Sequence, residues 1–187
     1  MHKDDVWQLF YPNGEPIPGK GWSSALDNPR SKDDIIGVVV VFLYRINDGN
    51  VEFLWQRRSE EVSFYSGDYD FSAGGHVNLG ESLVKAAVRE THEEIGAEIT
   101  SQDLKFVTMC AHGMNRFGWV YVVDWTERDE NFTFDDGEVS EVKWVPYAEM
   151  EEFRKKYAKE PLKKDDYTFM ALDNWLKLRG LVNDGNI

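Results

Sequence analysis

Three glutamates, Glu90, Glu93 and Glu94, lie close together in the stretch GGHVNLGESLVKAAVRETHEEIGA, residues 74–97. On a helix turning about 100° per residue they fall within an arc of about 100° and are turned toward one another. Like charges so placed destabilise an isolated helix by roughly 0.2–0.5 kcal/mol per pair. Something outside the helix must offset that repulsion, most simply a cation. Oxygen ligands at this density suit Mg2+ or Mn2+, with waters completing an octahedron. Arg89 stands four residues before Glu93 and can pair with it along the helix.

The helix that carries these carboxylates is expected from about Ser82 to Ile95, stopped by Gly96. Val84, Val88, Thr91 and Ile95 make its expected core stripe, and Ala86 and Ala87 leave room for a neighbouring loop. Just before it, DFSAGGHV reads as a short strand ending in a double glycine, where backbone can approach closely or take positive φ. Further strands are read at Ile35–Tyr44, Val51–Arg58, LKFVTMCAH, WVYVVDW and EVKWVP. Helical stretches follow near Tyr147–Lys159 and Asp166–Leu178, with Pro161 between them. Strands and helices mix without regular βαβ alternation, which points to an α/β fold with a mixed sheet flanked by helices. The Asn13-Gly14 turn between short apolar runs predicts an N-terminal hairpin or arm over residues 1–34, packed on a domain spanning 35–187.

Composition bounds the partners. A chain of 187 residues, 42% hydrophobic, suits one domain with a sizeable core. Acidic residues number 34 against 21 basic, a formal net charge of −13. That balance argues against a nucleic acid polymer and against an anionic membrane surface. It also disfavours an anionic substrate unless cations bridge the approach. A single cysteine, Cys110, rules out an internal disulfide and a thiolate metal cluster and fits a reducing compartment. The opening MHKDDVWQLF has acids where a secretory leader carries basic residues, so a soluble, cytoplasmic chain is expected. The longest apolar run, IIGVVVVFLY, is too short to span a bilayer. A homodimer is left open.

The spacing around the glutamates is G-x5-E-x7-R-E-U-x-E-E-x-G-U, where U is a bulky aliphatic residue. It is met by Gly75, Glu81, Arg89, Glu90, Glu93, Glu94 and Gly96, and departed from only at two aliphatic positions, Thr91 and Ala97. With this pattern the chain resembles a Nudix hydrolase. The resemblance implies a Nudix-type α/β/α sandwich that cleaves a diphosphate linkage in a nucleoside diphosphate–X compound or related small molecule, with Mg2+ or Mn2+. It implies metal ligation by Glu90, Glu93 and Glu94 and by the backbone carbonyl of Gly74. It further implies that Arg89 holds the glutamates and that Glu81 supports that network.

The general base varies among such enzymes. Glu138, in FDDGEVSEVKWV, is the leading candidate, because a Glu-Val pair before a Trp-containing strand recurs in relatives; Glu141 and a glutamate of the motif are the others. Arg57 and Arg58 are candidates to fork onto phosphate oxygens, and Arg116 is a weaker one. Phe64, Tyr65 and Tyr69 are candidates to stack a base, and His112 reads as a locally hydrogen-bonded residue. The SAGGHVNLGE segment, with QRRS before it and NGEPIPG in the arm, is similar to the isopentenyl-diphosphate isomerase branch. There Gly74 takes the place of the catalytic cysteine, and of the metal-binding histidines only His76 remains, here a candidate substrate contact. A glycine supplies no protonating thiol, so isomerisation is disfavoured. An isomerase-like enzyme and a non-catalytic nucleotide-binding Nudix domain are the alternative readings.

Overall fold

A computed structural model of the chain describes residues 6–23, 31, 33–111 and 115–183. Its strands are β1 (Trp7–Phe10), β2 (Pro16–Trp22), β3 (Ile35–Asn47), β4 (Asn50–Arg58), β5 (Tyr69–Asp70), β6 (Ala73–His76), β7 (Lys105–Ala111), β8 (Arg116–Asp124) and β9 (Val139–Pro146). Its helices are α1 (Leu83–Ile95), α2 (Met150–Tyr157), α3 (Glu160–Lys163) and α4 (Asp166–Leu178). No helix among the described residues is long and apolar enough to cross a membrane.

The β-branched run of β3 makes it the central strand. Along one edge β8 pairs with it in parallel from Ile36 to Tyr44. Along the other, β1, β6 and β4 pair with it in turn, all antiparallel. β4 returns through Asp48 and Gly49, both at positive φ, as a tight two-residue hairpin requires. β9 extends the sheet beyond β4, β5 pairs with Gln56 and Arg57 on the β4 edge that faces β3, and β7 extends the sheet beyond β8.

Alternation along β3 feeds two layers of core. Val39, Val41 and Leu43 pack with Ala86, Ala87 and Ile95 of α1. Val40, Phe42 and Tyr44 pack on the other face with Phe169, Leu172 and Trp175 of α4 and Phe153 of α2. Helices on both faces of a mixed sheet are the architecture the sequence led us to expect.

Three local expectations change. DFSAGGHV is not one strand: β5 pairs with β4 and β6 with β3, and the chain crosses between them at Phe71–Ser72. Ser72 secures that crossing, its Oγ donating to the Leu54 carbonyl and accepting from the Leu43 amide. The stretch after β9 breaks into a 3-10 turn, α2 and the short α3, with Pro161 in the first turn of α3, where its missing N–H is harmless. On α1 the fully buried face is Ala86, Ala87, Thr91 and Ile95, together with Glu94, while Val84 and Val88 are only half-buried. Thr91 is tolerated at an aliphatic position because its hydroxyl donates back to the Ala87 carbonyl at 2.7 Å. His112 lies outside the described residues.

β1 and β2 form a hairpin that grips the segment leading into α1. Gln8 N donates to the Val77 carbonyl and Leu79 N to the Val6 carbonyl, each at 2.8 Å. The buried Gln8 side chain accepts from Gly80 N at 3.1 Å and donates to the Ile17 carbonyl at 2.7 Å.

Candidate active site

Local chemistry places α1. Ser82 caps it, its Oγ accepting from Lys85 N, and Gly96 ends it in the left-handed conformation at φ 64. A side chain at Gly96 would also collide with Thr133, whose amide donates to the Ile95 carbonyl. The helix therefore begins and ends at defined residues, and its acidic side meets the β6 strand.

Arg89 organises that side. Nε and Nη2 fork onto Glu81 at 3.0 and 2.9 Å, and Nη1 donates to Glu90 Oε1 at 2.8 Å and to Glu93 Oε2 at 2.9 Å. Nη2 also reaches the His76 carbonyl at 3.0 Å, so every N–H of the guanidinium is engaged. Burial opposes its charge, but the Glu81 hydrogen bonds and the Glu90 charge outweigh that and hold the guanidinium above its ordinary pKa.

Glu94 is held separately. Its carboxylate is buried, and one oxygen, Oε2, accepts from Gly74 N at 2.8 Å and from Gln56 Nε2 at 3.0 Å. The N–H and C=O of a strand residue point to the same side. The Gly74 carbonyl therefore turns away from β3, toward the same side as Glu94. Gly75 is needed for close approach: a Cβ there would overlap the Glu90 carboxylate.

The same geometry leaves Glu90 Oε2, Glu93 Oε1 and Glu94 Oε1 without hydrogen bonds to the described residues. The charges are costly as they stand. Burial pushes Glu90 up to about 7, with Arg89 opposing and Glu93 and Glu81 adding to the rise. Burial likewise raises Glu94 well above the ordinary carboxylate range, and the Glu90 charge adds to it. Among the described residues no three acidic, histidine or cysteine side chains already enclose a metal-sized space. The donor set nevertheless fits a hard divalent cation: carboxylate oxygens, a strand carbonyl and a glycine cradle, in a cluster whose negative charge calls for a counter-ion.

The candidate base and substrate residues are distributed unequally around this centre. The Glu138 carbonyl accepts from Ser59 N at 2.8 Å and its amide donates to Asp136 Oδ1 at 2.9 Å. The Asp136 carboxyl is raised, first by burial, with the Glu138 amide opposing and the charges of Glu138 and Glu93 adding. The 135–138 loop thus stands within electrostatic reach of α1. Glu141 faces Arg57 across the β9–β4 ladder and accepts from the Tyr69 hydroxyl at 2.7 Å, which, after burial, pushes Tyr69 up to about 12.

Arg57 follows Trp55 on the α4 face of the sheet, and Arg116, opposite Ile36, leaves β8 on that face too. The His76 ring also sits there, stacked on Trp7 with centroids 3.7 Å apart. These three side chains are not gathered with the α1 carboxylates. Both paired arginines already serve the 59–68 loop. Arg57 Nε donates to the Gly67 carbonyl at 3.0 Å and Arg58 Nε to the Phe64 carbonyl at 3.1 Å. That loop exposes Phe64 and Tyr65, whereas Tyr69 packs against Phe153.

Two surface depressions, one lined by Val51, Tyr147 and Leu181 and one by Ala97, Trp125 and Phe132, lie apart from the carboxylates. Chemistry, not concavity, marks the site. Sequence reasoning missed Gln56 and Asp70, which sit opposite each other across β4 and β5. The available signal was Gln56 itself, a polar residue two places after Leu54 on the face of β4 that packs against α1.

The mixed sheet between helices, with acidic α1 after a double glycine, defines a class. Residues 36–171 match the NUDIX domain family, and the chain belongs to it. It is 32% identical over 133 residues to Nudix hydrolase 3 of Arabidopsis thaliana, across 65% of this chain and 16% of that protein. It is 30% identical over 138 residues to the uncharacterized Nudix hydrolase YfcD of Escherichia coli, across 71% of this chain and 68% of the relative. The chain thus spans only a small part of the length of the plant relative. In fold it is similar to the crystal structure of DR0079 from Deinococcus radiodurans (TM-score 0.66, 21% identity, 90% of this chain and 98% of that one). It is also similar to a C. elegans Ap4A hydrolase binary complex (TM-score 0.55, 22% identity, 78% of this chain and 99% of that one).

Proposed function

We propose that this chain is a metal-dependent hydrolase that cleaves a diphosphate linkage in a nucleoside diphosphate–X or related small molecule. The observation that carries the reading is the state of the three α1 carboxylates. Each is anchored through one oxygen by Arg89, or by Gln56 and Gly74, and keeps its other oxygen out of those contacts. Glu90, Glu93 and Glu94, with the Gly74 carbonyl, would hold Mg2+ or Mn2+. Bound there, the cation supplies positive charge to the diphosphate and acidifies the attacking water. It also lets an anionic substrate approach a protein of net charge −13.

The chain's own groups do the rest. Arg89 and Glu81 keep Glu90 and Glu93 in place, Glu138 takes the proton of the attacking water, and Arg58, on the α1 face of β4 with its Nη1 3.9 Å from Asp70, offers a donor for a phosphate oxygen. Arg57, His76 and Arg116 would meet only parts of the substrate that reach the other face of the sheet. With glycine at position 74 there is no thiol to protonate an alkene, so hydrolysis is favoured over isomerisation.

A panel of nucleoside diphosphate–X compounds, dinucleoside polyphosphates and isopentenyl diphosphate, assayed with Mg2+ or Mn2+, tests this. Phosphate-containing products should appear from at least one of the nucleotide compounds and no dimethylallyl product from the last. Replacing Glu93 and Glu94 together with Gln should abolish turnover and the cation-induced rise in melting temperature. Retention of that rise would move the cation elsewhere.

A further inference from the structure

We propose that Gln56 is a positioning residue of the carboxylate site. Its amide nitrogen fixes Glu94, and its carbonyl oxygen accepts a hydrogen bond from a water that accompanies the divalent cation. The inference rests on the reading of the site as a cation centre and assigns to it a residue outside the motif.

Gln56 is 1% exposed, in the middle of the sheet, between strand partners Asp70 and Val142. Its Nε2 donates to Glu94 Oε2 at 3.0 Å, on the same oxygen that takes the Gly74 amide. Glu94 is therefore pinned from two strands, with its other oxygen directed elsewhere. The second half of the amide is unaccounted for. Gln56 Oε1 is buried and has no hydrogen-bond partner among the described residues.

A buried acceptor left in that state carries an uncompensated desolvation cost. If packing were the only requirement, leucine or methionine would fill the place without that cost, as Leu54 does two residues earlier on the same face. The amide cannot gain by turning over, because Oε1 would then face the Glu94 carboxylate, an acceptor against acceptors. Nor does Asp70 offer a donor: its own oxygens accept from the Phe71 amide and from Lys159. A water meets the need, since it donates where the neighbouring side chains only accept. Small divalent cations keep several waters when protein supplies only some of the ligands. An acceptor beside Glu94 would hold one of them and reinforce the ligand geometry, as outer partners of metal sites do.

The test uses the whole chain without substrate. Gln56→Met keeps the length and apolar bulk of the side chain while removing both amide functions, and Gln56→Leu does so in a second shape. Thermal melts are recorded in EDTA and across a Mn2+ series, repeated with Mg2+. Wild type should melt at higher temperature as the cation is added. In the variants the apparent Mn2+ affinity should fall roughly 10- to 100-fold, while the chain still folds in EDTA. Mn2+ affinity within twofold of wild type in either folded variant overturns the proposal. So does failure of both variants to fold in EDTA, since the amide would then be needed by the fold itself. A wild type that does not respond to either cation overturns the cation reading as well, which separates the two failures.

Discussion

Glu94 and Glu138 place the two sharpest demands on single residues. Glu94 is buried with its carboxyl held well above its ordinary value of 4.5. A carboxyl whose folded pKa is raised favours the fold below its unfolded pKa, and that advantage is lost as pH climbs. Without cation, the wild type therefore carries a penalty that grows above about pH 4.5. Glu94→Gln keeps an oxygen to accept from Gln56 and Gly74 and removes the charge. In EDTA at pH 8 its melting temperature should exceed that of wild type by roughly 2–4 °C for each 1 kcal/mol relieved. The gap should close as pH falls toward 4.5, and a gap independent of pH would remove Glu94 ionisation as its cause. Glu138→Gln preserves shape and removes the base. A drop in kcat of roughly 10²–10⁴ is expected, with the Mn2+-induced melting shift intact. If kcat barely changes, the base lies within α1; Glu141, tied to Tyr69 and Arg57 on the α4 face, would be the poorer substitute.

Among the elements, the β1–β2 hairpin does more than cover an edge. Its backbone and Gln8 bond the 77–80 segment, and Trp7 packs its ring on His76, whose carbonyl is an Arg89 acceptor. The hairpin thereby braces the loop that delivers Glu81 to Arg89. Trp7→Ala should cost roughly 3–5 kcal/mol, as is usual when a buried large aromatic is truncated. Amide exchange should accelerate at residues 77–81 more than in β8, which the hairpin does not touch through those bonds. Hydrogen-exchange mass spectrometry separates the two regions, and equal acceleration in both would mean global destabilisation rather than loss of a brace.

At the scale of the molecule, the net charge of −13 opposes any diphosphate at a distance. Screening acts over about 10 Å at 0.1 M ionic strength. With free Mg2+ held constant, kcat/KM for the substrate found in the panel should rise by roughly threefold or more as inert salt goes from about 20 to 200 mM. A fall over that range would show that cationic groups near the site, Arg58 and Lys159 foremost, dominate the approach.

The local signals were strong where the physics is local. Helix α1 begins and ends within one residue of the reading from its Ser82 cap and Gly96 stop, because capping acts over a few neighbouring residues. The β-branched run of β3 was legible for the same reason. A helical wheel also put the three glutamates on one side. It could not say that the sheet would bury Glu94 and leave Glu93 half exposed, since that depends on where β6 and β4 lie. Nor could it reveal that the two arginines of β4 anchor a loop. Glu94 is fixed by partners 38 and 20 positions away, and Gly80 by one 72 positions away. The amino-acid sequence by itself determined which carboxylates exist and on which element they ride. Only the tertiary structure decided which are buried, which oxygen each keeps free and which distant side chain holds it, because those outcomes come from contacts made when remote strands pair.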